Sequence, residues 1–246
     1  QTTEVENYPG FEHGILGYDL MEAMRKQAER FGTRMLNDRV EKAEFVPGGP
    51  QTLHLTSGET MKAKAVIIAT GAIPKRLGLE SERLLETKGV TYCAVCDGAF
   101  FKGVPHVVVG GGDSAMEEAN FLTKFASQVT IVHRRDSFRA SKIMGDRVLA
   151  NPKIKVAWDS GVAEVLGVKE GQVTGVVLKN LKTGALQTIP AGALFVAIGH
   201  TPSTQAFQGQ IAMDDQGYIL LDGHSSQTSC PGVFSAGDCA DHVYRQ

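Results

Sequence analysis

The 246-residue chain is 42% hydrophobic and 21% charged, an ordinary globular composition with length for one large domain or two modest ones. A formal net charge of −2, with no long run of Lys and Arg, gives no electrostatic reason to expect nucleic acid or an anionic membrane as partner, and leaves small molecules and proteins. No apolar run reaches the ~18 residues of a membrane-spanning helix, the opening "QTTEVENYPGF" lacks the pattern of a signal peptide, and four cysteines are too few for a secreted disulfide framework. The expectation is a soluble, cytoplasmic protein.

Between residues 39 and 72, short alternating strands such as "QTLHLTS" are broken by Gly48-Gly49-Pro50 and Ser57-Gly58, and close on the apolar strand "AVIIATGA". The stretch "TYCAVCDG" follows, with Cys93 and Cys96 separated by two residues. Such a pair holds zinc, shuttles electrons as a dithiol, or fills a core. Next comes "VPHVVVGGGDSAMEEANFLTKF", a short apolar strand over 106–109, three glycines, and a helix with Ala115, Ala119 and Leu122 at helical spacing and Ser114 as a suitable N-cap. This is G-x-G-x-x-A. Gly110 permits the tight turn, Gly112 lets backbone approach a pyrophosphate, and Ala115 lets the helix pack on the strand, with unpaired N–H groups facing the anion. A glycine cluster alone is weak evidence, but strand, loop and helix in this order point to a dinucleotide.

The following strand ends at Val132, about 20 residues past Gly112, where an NAD site places an acid for the ribose 2′-hydroxyl. His133, Arg134 and Arg135 stand there instead, with Arg139 one turn on. Guanidinium groups match a 2′-phosphate by charge and by forked hydrogen bonding, so NADP is expected. From 162 to 200 the meander repeats, broken by Glu170-Gly171 and Thr183-Gly184 and closing on "ALFVAIGH". Both closing strands run into Gly and then Pro, at 71–74 and 199–202, like paired crossover hinges. The tail "GVFSAGDCADHVYRQ" carries an apolar strand into Ala236-Gly237-Asp238, where the carboxylate can reach a cofactor hydroxyl; "ATGA" at 69–72 brings backbone toward the same ligand.

A zinc site needs four ligands, and Cys230 and Cys239 form no second close pair. A redox pair is the preferred reading over an inert core pair, because the thiolate is the reactive form and Asp97 beside Cys96 can move protons. A nicotinamide gives up a hydride whereas a disulfide is reduced through a thiolate, and flavin is the usual intermediary.

"CAVCDG", "VVVGGGDSA", "HRRDSFRAS", "FVAIGH" and "TSCPGVFSAGDCADHVYRQ", in this order and spacing, resemble the low-molecular-weight thioredoxin reductases, and the match extends to "TTEVENYPGF" near the start. The resemblance implies an α/β fold of two Rossmann-like, three-layer ββα nucleotide-binding domains: an FAD domain built from residues 1–76 and 203–246, and an NADPH domain inserted at 77–202. It also implies a homodimer that passes electrons from NADPH through FAD to the dithiol and then to thioredoxin, with rotation about the two hinges. Carried over residue by residue, Cys93 and Cys96 match the redox pair, Cys96 being nearer the flavin, and Asp97 the proton donor. Gly110, Gly112, Asp113, Ser114 and Ala115 match the pyrophosphate loop, and His133, Arg134, Arg135 and Arg139 the 2′-phosphate site. Asn7, Thr70, Gly71, Gly237, Asp238, Arg245 and Gln246 match flavin-contacting positions; no metal is expected.

One departure stands out. The family begins with its own glycine loop for the FAD pyrophosphate and ends with a helix after "RQ", and neither lies within this sequence, so the expectation is a chain lacking both ends of the family's length. Three other readings remain: a flavoprotein reductase of a peroxiredoxin, against which the arginine cluster argues because its relative is expected to use NADH; a fungal-type dithiol oxidase; and a non-catalytic NADP-binding fragment.

Overall fold

The computed structural model describes residues 4–5 and 8–241. The chain divides into two compact units, one formed by Gln1–Ile73 with His200–Gln246, the other by Pro74–Gly199. The first unit opens with an antiparallel pair, β1 (Glu4–Val5) and β2 (Ile15–Leu16), and the helix α1 (Gly17–Arg30). Asp19 in its first turn and Arg30 in its last agree with the helix dipole. Then β3 (Val40–Glu44), β4 (Gln51–Leu55) and β5 (Thr60–Ala63) form an antiparallel meander, turning at Gly58 with a φ of 87° that only glycine adopts freely. β6 (Val66–Ile68) and β7 (Ala72–Pro74) lead out of it.

The second unit runs α2 (Glu80–Leu84), β8 (Val90–Thr91), α3 (Ala94–Asp97), β9 (His106–Val109), α4 (Asp113–Leu122), β10 (Val129–Val132), α5 (Lys142–Leu149) and β11 (Ile154–Ala157). The meander β12 (Ser160–Leu166), β13 (Gly175–Asn180) and β14 (Leu186–Pro190) follows, and β15 (Ala193–Val196) completes the unit. β16 (His200–Pro202) and β17 (Val233–Ser235) return to the first unit. The repeat legible in the sequence is real. Each meander is a three-stranded antiparallel sheet, and the strand after each joins a parallel pairing, β6 with β17 and β15 with β8 and β9.

The central sheet of the second unit is parallel, in the order β11-β10-β9-β15-β8. Val107, Val109, Val132, Leu194 and Val196 point to one face and pack with Val165, Val176 and Leu178 of the meander. Val108, Val129, Ile131, Ala193 and Phe195 point to the other and pack with Ala115, Met116, Ala119 and Leu122 of α4 and Val148 of α5. Meander, sheet and helices thus make three layers. A sheet covered on both faces explains why its central strands carry the apolar runs over 107–109 and 193–196. In the first unit Ile68 and Val233 pack with Ala43, Phe207, Ile211, Ile219, Cys230 and Cys239. Cys239 is fully buried there, a small core residue with a free thiol. Among the described residues, no helix is long and apolar enough to cross a membrane.

One local expectation is corrected. Ser114 is not the N-cap of α4; Gly112, extended at φ −96° and ψ 178°, occupies that place, and Ser114 lies inside the first turn. A glycine caps without a side chain, so nothing from the cap residue satisfies the first N–H groups of the helix.

Candidate active site

Parallel strands end at the same edge of a sheet, and in the second unit that edge gathers three features read separately from the sequence. Register sets Thr91 of β8 level with Phe195 of β15, Val108 of β9 and Ile131 of β10. The dithiol therefore leaves the sheet after β8, the glycine loop after β9, and the arginine loop after β10. With neighbouring strands about 4.8 Å apart, the dithiol strand lies roughly 10 Å from the glycine-loop strand, with β15 between them.

Cys93 and Cys96 are joined in a disulfide, with S–S 2.02 Å and Cα atoms 5.3 Å apart. Cys93 precedes α3 in extended geometry, its Sγ accepts the Cys96 N–H at 3.2 Å, and its carbonyl accepts the Asp97 N–H at 3.1 Å. These bonds wind the pair into one turn with both cysteines half-buried and Val95 exposed. Thr91 donates its hydroxyl to Asp97 Oδ2 and accepts the Cys93 N–H at 3.2 Å. Tyr92 is held from the other side: its hydroxyl donates to Glu82 Oε1 at 3.1 Å, and the Arg76 guanidinium lies 5.3 Å from its ring centre. Burial, reinforced by the Glu82 carboxylate, pushes the Tyr92 hydroxyl up to about 12. Glu82 itself is buried and accepts the N–H groups of Leu77 and Gly78 at 2.9 Å each. Among the described residues, no group of three or more His, Cys, Asp and Glu side chains gathers as metal ligands do.

The three glycines of the β9–α4 loop differ in what they permit. A Cβ on Gly110 would stand 2.4 Å from the Ala197 carbonyl oxygen and 2.6 Å from the Ala115 Cβ, so helix and sheet close on it. On Gly111 it would lie 2.1 Å from the His133 ring. On Gly112 it would meet nothing within 4 Å. The first turn of α4 therefore faces open space with uncapped N–H groups, the arrangement an anion fits. Asp113 is exposed, but its Oδ1 is committed to Ser141, accepting from the backbone N–H and the hydroxyl at 2.8 Å each.

The arginine loop is tied to the glycine loop through backbone: Arg139 N–H and Ala140 N–H donate to the Gly111 carbonyl at 2.8 and 3.0 Å. Arg134, Arg135 and Arg139 are exposed. The acids beside them, Asp136 and Asp159, are engaged by Lys182 at 3.4 and 2.9 Å, and no ion pair to the three arginines occurs among the described residues. Three unneutralised guanidinium groups next to uncapped helix N–H groups can receive a phosphorylated ligand. His133 stands apart from them. It is buried, bonded through Nε2 to the Ser137 carbonyl at 3.0 Å and packed on Phe138 and Trp158; burial lowers its basicity. Its place is beneath the loop.

In the first unit, β6 and β17 are parallel with Ile68 opposite Ser235, so Thr70-Gly71 and Gly237-Asp238 emerge side by side. Ala236 N–H and the Ser235 hydroxyl both donate to the Ile68 carbonyl, at 3.0 and 3.1 Å. Gly71 and Gly237 have φ of 68° and 77°, and a Cβ on either would meet nothing within 4 Å, so both loops border open space. Asp238 is half-buried. Asn7, Arg245 and Gln246 lie outside the described residues. Thr91, Gly111 and Glu82 were not singled out from the sequence; a Thr two residues before a Cys, or the middle of three glycines, carries no local signal of its partner across the sheet.

Comparison with known proteins agrees with this geometry. The profile of the family described as pyridine nucleotide-disulphide oxidoreductase matches residues 2–246. The chain is 51% identical over 245 residues to the thioredoxin reductase of Streptomyces coelicolor, covering 100% of this chain and 75% of that protein. It is 49% identical over 246 residues to the thioredoxin reductase of Rickettsia typhi, covering 100% of this chain and 79% of that one. Among solved structures, the thioredoxin reductase from Giardia duodenalis superposes with a TM-score of 0.84 at 46% identity, covering 100% of this chain and 79% of its own. That from Streptococcus pyogenes gives 0.82 at 41% identity, covering 100% and 78%.

Proposed function

The chain belongs to the thioredoxin reductases of the pyridine nucleotide-disulphide oxidoreductase family, NADPH-dependent flavoprotein disulfide oxidoreductases, and from that premise we propose that it passes electrons from NADPH through FAD to the Cys93–Cys96 pair and on to thioredoxin. What supports this most is that the disulfide, the uncapped glycine loop and the unpaired guanidinium groups share one edge of one parallel sheet. In this reading residues 77–202 are the NADPH domain and residues 1–76 with 203–246 the FAD domain. Gly110, Gly112, Asp113, Ser114 and Ala115 would hold the NADPH pyrophosphate, Asp113 by fixing the neighbouring loop, and Arg134, Arg135 and Arg139 the 2′-phosphate, with His133 supporting them. Thr70, Gly71, Gly237 and Asp238 would hold FAD, joined by Asn7, Arg245 and Gln246. NADPH supplies a hydride, and bound FAD turns it into electrons that a disulfide can take.

The chain's own residues then do the following. In the reduced pair one thiolate attacks the thioredoxin disulfide, forming a mixed disulfide and displacing a thiolate that takes a proton. The second thiol of the pair, losing its proton, attacks the first; Cys93–Cys96 re-forms and thioredoxin leaves as a dithiol. Asp97, within the same turn, is the group that holds and returns the proton. The same reading assigns a homodimer in the cytoplasm, the former tested by the mass in solution.

The deciding experiment is Cys96→Ser in the full-length holoenzyme. NADPH should still bleach the flavin in stopped flow, while turnover with thioredoxin falls to background because no disulfide remains to carry electrons onward. Retained thioredoxin turnover would sink the relay.

A further inference from the structure

Thr91 lies at the last position of β8 and is 5% exposed. Its hydroxyl is used twice: it donates to Asp97 Oδ2 and accepts the backbone N–H of Cys93 at 3.2 Å. One side chain therefore links the acid to the first residue of the dithiol turn. The backbone of Asp97 is fixed in the same turn by its N–H bond to the Cys93 carbonyl at 3.1 Å. A carboxylate on a short α3 has two side-chain torsions and partial access to water; without a fixed donor it would sample several rotamers. The buried hydroxyl removes that freedom. Valine would keep the shape of the side chain and lose both bonds; serine would keep both bonds and lose a methyl group.

Resting on the reading of Cys93–Cys96 as the redox pair, we propose that Thr91 is a positioning residue whose hydroxyl clamps the Asp97 carboxyl against the dithiol turn, so that the acid meets the sulfur that leaves when the disulfide opens. When a dithiol reduces the pair, its first thiolate attacks one protein sulfur and the S–S bond breaks. The other sulfur departs with the electron pair and takes a proton that the Asp97 carboxylate passes on from water. The second thiol of the reductant, losing its proton, then attacks the mixed disulfide, frees the first protein sulfur, and closes as a disulfide. Two electrons pass from reductant to protein.

The test needs no nucleotide and no flavin turnover. Dithiothreitol is added to the oxidised full-length holoenzyme, and thiols appearing at Cys93 and Cys96 are trapped with an alkylating agent and counted by mass. Asp97→Asn and Thr91→Val should each slow reduction by about tenfold, a fraction of what a general acid supplies. Thr91→Ser should stay within about twofold of the unaltered protein, and the Thr91→Val/Asp97→Asn pair should be no slower than Asp97→Asn alone. If Thr91→Val loses its fold on thermal melting, Thr91→Ala carries the same comparison. An unchanged rate in Thr91→Val, a serine variant as slow as the valine one, or losses that multiply in the double variant would each overturn the proposal. Thioredoxin turnover retained by Cys96→Ser would instead overturn the relay, and this role with it.

Discussion

Adding one methyl group at each of two adjacent glycines should separate folding from nucleotide binding. At Gly111 the new Cβ would stand 2.1 Å from the His133 ring, about 1.4 Å or more inside an optimal carbon contact. The ring cannot swing aside freely, being 5% exposed, bonded to the Ser137 carbonyl at 3.0 Å, and packed against the Phe138–Trp158 pair. Overpacking of this kind costs about 1–3 kcal/mol and the lost hydrogen bond about 1 more, so Gly111→Ala should destabilise by roughly 2–4 kcal/mol. Gly112→Ala meets nothing within 4 Å, so its only cost to folding is the exchange of a favoured N-cap residue for a poor one, about 1 kcal/mol. Its methyl group would instead occupy the space a pyrophosphate needs, and NADPH affinity should fall at least about tenfold. Trp158, the chain's one tryptophan, sits with its ring centre 4.5 Å from that of Phe138 in the arginine loop, so its fluorescence reports both unfolding in denaturant and nucleotide titration. A Gly112→Ala variant that folds and binds NADPH with unchanged affinity would refute the assignment of this loop, and a Gly111→Ala variant of undiminished stability would refute the packing argument.

Replacing Arg134 and Arg135 together with Ala removes exposed charge-assisted donors worth about 1.5–3 kcal/mol each in a phosphate complex, so titration should show NADPH weakened far more than NADH; equal losses would mean the pair supports structure only. Burial, with Glu117 alongside, pushes the Glu118 carboxyl up to about 7, and its Oε2 is buried with no hydrogen-bond partner among the described residues. Between the ordinary glutamate range and pH 7 the folded chain keeps a proton that the unfolded chain releases. Its stability is therefore full at acid pH and declines by up to about 3 kcal/mol as pH rises through that window. Glu118→Gln should flatten that slope, and denaturant midpoints at pH 5 and pH 8 that shift equally in both proteins would contradict it.

Sequence alone determined everything that rests on local periodicity and on chemistry with few alternatives. Three consecutive valines at 107–109 after His106, glycines at 110 and 112, and Ala115, Ala119 and Leu122 at helical spacing specify strand, turn and helix, and the structure gives β9 and α4 in those places. Paired Gly breaks marked two meanders of the same order, because a turn needing positive φ selects glycine whatever surrounds it. Ser114, the expected cap, yields that place to Gly112 because capping depends on the backbone of one residue, and Gly112 also ends an extended segment. What only the tertiary structure decided are the contacts made between strands distant in sequence. Asp113 holds Ser141 from 28 residues away, Gly111 lies on the His133 ring, and β15, coming 84 or more residues after β9, separates the dithiol strand from the glycine-loop strand. A parallel sheet joins its neighbours through long crossovers, so the edge on which Cys93, Gly112 and Arg134 meet follows from strand order, and strand order is set by which buried faces pack together, a property no short window of sequence contains.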